Sequence, residues 1–208
     1  MQTAQAAKRD GSKMITIVAL GDSLTAGYGL SRKQAYPALI GEKMREAGYE
    51  FEMVNAGWSG DTTAGGLRRL PEILRSRKKI DIFILELGIN DAFRGVTIDQ
   101  MRANLQAIID QVRARHPGVA IVIAGMQLPL YSSDDYVSAF GEMFRTLAEK
   151  KRAALIPYLL EGVGGNPEMN QPDRVHPNAA GQRVLAENVW RVLEPILRNR
   201  MAAQITGN

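Results

Sequence analysis

The chain has 208 residues, 45% hydrophobic and 23% charged, with 26 Lys+Arg against 22 Asp+Glu, two histidines and no cysteine. That length fits one domain with a sizeable core, and the missing cysteine excludes disulfide scaffolds, thiolate metal sites and a cysteine nucleophile. If the chemistry needs an imidazole base, His116 or His176 must supply it.

Met1–Lys13 is polar and carries no 7–15-residue apolar core, so as written it reads as a tail rather than a signal peptide. The expected location is therefore the cytoplasm, or the periplasm or exterior had a native signal been replaced. No apolar run approaches the ~18 residues of a membrane span, so stable membrane insertion is not expected. Five apolar runs of strand length follow in order: Met14–Leu20, Phe51–Asn55, Ile80–Leu87, Val119–Met126 and Ala154–Tyr158. Their richness in Ile, Val and Leu suits strands buried on both faces.

Between the runs the period changes to that of a helix. The segment 63–77 carries Pro71, which either kinks a helix or restarts one. Its basic run, Arg68, Arg69, Arg75, Arg77, Lys78 and Lys79, has no interleaved aromatics and reads as a solvated helix face rather than a nucleic-acid patch. Thr97 is placed to cap a helix whose apolar face runs from Ile98 to Val112, and Asp134-Asp135 reads as another helix start. Asn178, after Pro177, is placed to cap the last helix, with Met201–Asn208 expected as a tail beyond a single domain spanning 14–200.

Strand–helix alternation predicts an α/β fold, a three-layer α/β/α sandwich around a five-stranded parallel sheet with right-handed crossovers. Functional residues then belong in the loops at the carboxyl ends of the strands. The first such loop opens Gly21-Asp22-Ser23-Leu24-Thr25. It lacks the Lys of a phosphate-binding loop, and Thr25 stands where a G-x-S-x-G elbow needs glycine. What remains is a serine presented just past a buried strand.

The fifth loop holds Asp173-Arg174-Val175-His176-Pro177-Asn178. A serine hydroxyl needs a base, and the imidazole needs an acceptor to fix its tautomer, which an aspartate three residues away can supply. Donors for a developing oxyanion are available in Ser59-Gly60-Asp61-Thr62 and Gly88-Ile89-Asn90-Asp91. His116 precedes Pro117-Gly118 at a helix end and reads as structural. Asp22 and Asp91 read as loop braces, while Phe93, Leu130, Tyr131 and Val163 either line an acyl pocket or pack loops.

These blocks resemble the SGNH (GDSL) hydrolases, and within them the bacterial arylesterases and the multifunctional thioesterase I/lysophospholipase branch. The resemblance runs from Ile15 to about Leu197. It is carried by Ala19–Tyr28, by Val54-Asn55-Ala56 with Ser59–Thr63, by Leu85–Asp91 and by Asp173–Asn178. It implies a flavodoxin-like sheet and a cofactor-free, metal-free serine hydrolase. Ser23 would be the nucleophile and His176 with Asp173 its partners, while the Ser23 and Gly60 N–H groups and the Asn90 amide would form the oxyanion hole. The substrate would be a small acyl ester or thioester. Two positions depart from the branch: Ile89 stands where a second glycine is common, and Pro129 leads into Leu130-Tyr131-Ser132 rather than Asn-Tyr-Gly. Activity is expected to rise as His176 loses its proton, with an acidic limb near or below neutral pH.

Two other readings use the same loops. A metal-dependent phosphoesterase would take Asp22, Asp91, Asp173 and His176 as hard ligands. A non-catalytic binding module would leave Ser23 inert towards acylating probes.

Overall fold

A computed structural model of the chain describes residues 14–128 and 134–206, without the side chains of residues 134 and 203–206. Five strands, β1 (Ile15–Gly21), β2 (Phe51–Gly57), β3 (Ile82–Glu86), β4 (Ala120–Ala124) and β5 (Ala154–Ile156), pair in parallel in the order 2-1-3-4-5. β1 and β3 are buried along their whole length, whereas the edge strand β2 is half-buried throughout. This explains why the central runs are continuously apolar: helices cover both faces, so no strand face needs polar side chains.

Helices α2 (Tyr36–Glu46), α3 (Thr63–Arg75), α5 (Ile98–Arg115), α6 (Asp134–Lys151) and α7 (Ala179–Thr206) cover the sheet, and the short helices α1 (Ser23–Ala26) and α4 (Ile89–Phe93) belong to its loops. α2 packs against α7, and α5 against both α3 and α6. Right-handed crossovers place these two groups on opposite faces. Caps fix several helix starts. Thr62 accepts from Gly65 N, Thr97 from Gln100 N, and Asn178 Oδ1 from Ala180 N and Gly181 N.

Three expectations are corrected here. α3 runs unbroken through Pro71, so of the two expectations the restart is set aside. The strand-like runs were drawn too long at β3, β4 and β5, whose flanking residues continue apolar after pairing stops. The segment from Met201 is not a separate tail, because α7 continues to Thr206. Met-Ala-Ala-Gln is a strong helix-forming stretch with no breaker before Gly207.

The order 2-1-3-4-5 reverses direction between β1 and β3, and the crevice at such a switch point lies outside their carboxyl ends. The loop after β1 carries Ser23 and the loop after β3 carries Asn90, so topology alone brings these two to one place.

Candidate active site

Strand β1 ends at Gly21, where a side chain would collide with Thr25 Oγ1 and Glu86 Oε2. The chain then turns at once into α1, with Asp22 Oδ1 accepting from Leu24 N at 2.9 Å. Ser23 thus becomes the first residue of a helix at the mouth of a cleft of about 600 Å³. Its Oγ lies 3.1 Å from His176 Nε2, and His176 Nδ1 lies 2.7 Å from Asp173 Oδ2. The three side chains form one unbroken relay.

The fifth loop achieves this through local strain. Arg174 adopts φ +60°, a left-handed conformation unusual for a side-chain-bearing residue. The turn brings the N–H groups of Val175 and His176 to Asp173 Oδ1, each at 3.0 Å. Those backbone donors, then the imidazole, pull the Asp173 carboxyl down to about 2, so it stays ionised wherever the imidazole works. Tyr28 covers the imidazole, with ring centroids 4.4 Å apart.

The N–H groups of Ser23 and Gly60 have no acceptor among the described residues. Gly60 sits at φ +79°, which a larger residue would resist. Asn90 Nδ2 donates to Asp22 Oδ2 at 3.0 Å and to the Asp61 carbonyl at 2.9 Å. These bonds fix the amide at the cleft wall, and an oxyanion there would take over one of them.

The remaining sequence candidates divide. Phe93 lines the cleft and is 64% exposed. Val163 does not: as part of the fifth loop it is fully buried and packed into the core, so of its two readings loop packing holds. Leu130 and Tyr131 lie outside the described residues. Asp91 braces a loop, accepting from Thr63 N at 2.8 Å and from Thr63 Oγ1. With Asp22 and Asp91 committed to these donors, the phosphoesterase ligand set does not converge. No group of three or more His, Asp or Glu side chains suited to a metal ion occurs among the described residues. His116 caps α5 and is buried near the amino-terminal end of β3, beside Ile80 and Asp81. Burial lowers its basicity and favours the neutral ring.

Two supporting residues escaped the sequence reading. Glu86 is completely buried directly beneath the nucleophile turn, accepting from Asp22 N at 3.1 Å and from Thr25 Oγ1 at 2.8 Å. Burial, then the Asp22 charge, raises its carboxyl well above the usual range, and burial likewise raises Asp22 to about 6. Arg69 is not the solvated residue expected of a basic helix face. It spans Asp61 Oδ2 at 2.7 Å, the Ala56 carbonyl at 2.7 Å and the Gly21 carbonyl at 3.0 Å, clamping the ends of β1 and β2. A lone Glu in an apolar strand run and an Arg one turn beyond a strand-end loop were the available signals.

A model of the GDSL-like lipase/acylhydrolase family matches residues 19–184. Esterase TesA of Pseudomonas aeruginosa is 40% identical over 182 residues, covering 88% of this chain and 89% of that one. Thioesterase 1/protease 1/lysophospholipase L1 of Escherichia coli K12 is 33% identical over 184 residues, covering 88% and 86%. A crystal structure of TesA superposes with a TM-score of 0.82 at 40% identity, covering 87% of this chain and 99% of that one.

Proposed function

Because the chain belongs to the GDSL-like lipase/acylhydrolase family and is an ester hydrolase, we propose that Ser23, His176 and Asp173 are its catalytic triad. The observation that carries the assignment is the relay from Ser23 Oγ through His176 to Asp173 at 3.1 and 2.7 Å. His176 Nε2 takes the Ser23 proton as Oγ attacks the acyl carbonyl, and Asp173 holds the tautomer and steadies the imidazolium. The carbonyl oxygen, now negative, is received by the Ser23 and Gly60 N–H groups and the Asn90 amide. His176 then gives its proton to the leaving alcohol or thiol. Water attacks the acyl-enzyme by the same route, regenerating Ser23 and releasing the acid.

The substrate reading is a small acyl ester, extending to thioesters and lysophospholipids. It is supported by the names of the relatives and by the apolar walls of the cleft, among them Leu24, Ile89, Met126 and Leu128. None of the three donors or the triad requires a metal or cofactor for this route.

The test compares two histidine variants on a soluble aryl ester. His176→Ala should lose about 10⁶ in kcat, as removal of a triad base can, while His116→Ala keeps nearly full turnover. Retained turnover in His176→Ala would sink the mechanism. A panel of p-nitrophenyl esters of rising chain length beside an acyl-CoA resolves the substrate.

A further inference from the structure

Strands β1 and β5 are not neighbours, because the order 2-1-3-4-5 puts β3 and β4 between them. The loops carrying Ser23 and His176 therefore start three strand spacings apart, roughly 14 Å, yet their reacting atoms meet at 3.1 Å. Asp173 does not set that separation. It lies three residues from His176 in the same loop and travels with it. A contact outside the relay has to hold one loop against the other.

The fifth loop closes in a small hairpin around His176. Asn170 pairs with Pro177, Asn178 N donates to the Met169 carbonyl at 2.9 Å, and Gln171 N donates to the His176 carbonyl at 2.8 Å. The Nδ2 groups of Asn170 and Asn178 donate to the carbonyls of Val163, Asn166, Glu168 and Asn170, all inside that loop. They shape the hairpin without placing it. Among the described residues, two hydrogen bonds join 169–178 to the segment 22–35 after β1. One is the contact between His176 and Ser23 itself. The other runs from Gln171 Nε2 to the Tyr28 carbonyl at 2.7 Å, across 143 residues of sequence.

Gln171 Nε2 also donates to the Pro177 carbonyl at 3.1 Å. Both acceptors are carbonyl oxygens, so only the NH2 end of the amide can face them. Gly29 leaves the room for it, since a Cβ there would stand 2.2 Å from Gln171 Oε1. Tyr28 N in turn donates to the Ser23 carbonyl at 3.0 Å. The backbone of Ser23 is thus linked through Tyr28 and Gln171 to the backbone of His176, and the reacting side chains close the ring. Gln182 makes a deeper tie, accepting from Tyr36 N at 2.8 Å and donating to the Leu24 carbonyl at 3.2 Å. It stands on α7, six residues beyond His176, and fixes the helix rather than the hairpin.

We infer that Gln171 is a positioning residue for the reaction: its amide, bonded to the Tyr28 carbonyl, sets His176 within reach of Ser23 Oγ. Gln171 is not part of the cleft lining and acts through His176. This rests on the triad proposed above.

The test follows turnover of a soluble aryl ester by two variants of similar shape. Gln171→Met removes the donor, and Gln171→Glu, ionised, turns an acceptor towards the two carbonyls. Each should lower kcat about 10- to 100-fold, the scale of a misplaced catalytic group, with KM changed less than about twofold. Fluorophosphonate labelling of Ser23 should slow by the same factor. In a His176→Ala background, Gln171→Met should leave the residual turnover unchanged, because no base remains to be placed. A merely structural role would lower that residue of activity further. Should neither Gln171 variant fold, Gly29→Ala, whose methyl displaces the amide, should lower kcat with KM kept.

Native kcat in either folded Gln171 variant, a rise in KM in place of a fall in kcat, or a further loss in the His176→Ala background would overturn the assignment. So would native kcat in Gly29→Ala. Native turnover in the Gln171 variants leaves the triad standing, whereas native turnover in His176→Ala refutes the triad itself.

Discussion

Replacing Glu86 by glutamine and by alanine separates two roles that a buried acid beneath a nucleophile can play. Glu86 Oε2 accepts from Asp22 N and Thr25 Oγ1 in a fully buried position, and Oε1 has no partner among the described residues. A carboxylate there would be poorly compensated, in keeping with burial raising its pKa well above 4.5. Glutamine keeps the acceptor and removes only the ionisation, so below about pH 4.5, where the acid is neutral in both states, Glu86→Gln should alter stability by no more than about 1 kcal/mol. Alanine strands two buried donors at about 1–3 kcal/mol each and leaves a small cavity, roughly 3–6 kcal/mol in all. At this chain length that lowers Tm by roughly 6–24 °C. Urea denaturation followed by circular dichroism gives both values. Because the folded state keeps the Glu86 proton after the unfolded chain has released it, native stability should decline relative to Glu86→Gln as pH rises from about 4.5. Asp22, raised in the same direction to about 6, interacts with Glu86, so the difference reports the pair of acids rather than Glu86 alone. If Glu86→Gln were as damaging as Glu86→Ala, or if native stability rose relative to it with pH, the acid would be ionised in the fold and the reasoning refuted.

Asn90→Ala should lower kcat by about 10²–10³ with a smaller change in KM, because its donor acts mainly as charge develops on the acyl oxygen; stopped-flow turnover of an aryl ester reads this. Arg69→Met should cost about 3 kcal/mol in denaturant unfolding by leaving Asp61, only 8% exposed, without its guanidinium. The same variant should lower kcat/KM, since the Gly21 and Ala56 carbonyls it holds lie at the base of the first two site loops.

What was legible in the sequence was whatever is encoded locally. Continuous Ile/Val/Leu runs marked the central strands, and Thr97 and Asn178 marked helix starts because a cap needs only its own next turn. Asp173 and His176 could be paired from spacing, since a three-residue turn brings one to the other. Glu86 and Arg69 could not, because Glu86 meets Asp22 across 64 residues and Arg69 ties Asp61 and Ala56 to Gly21, 48 residues away, so their meaning comes from the sheet assembling around them. In a strand buried on both faces, position alone does not say whether an acid finds donors. The same limit applies to Val163, whose apolar character fits pocket wall and core equally until the fifth loop packs against the core. Pro71 was ambiguous for a different reason: α3 absorbs the loss of one backbone donor within a helix that α5 supports.

The central claim is that Ser23 is the activated nucleophile, and labelling with a fluorophosphonate followed by peptide mass mapping tests it most directly. The account predicts stoichiometric phosphonylation of Ser23 in the native protein, with labelling lost in Ser23→Ala and greatly slowed in His176→Ala. Labelling of another residue, or of Ser23 at an undiminished rate without His176, would contradict it.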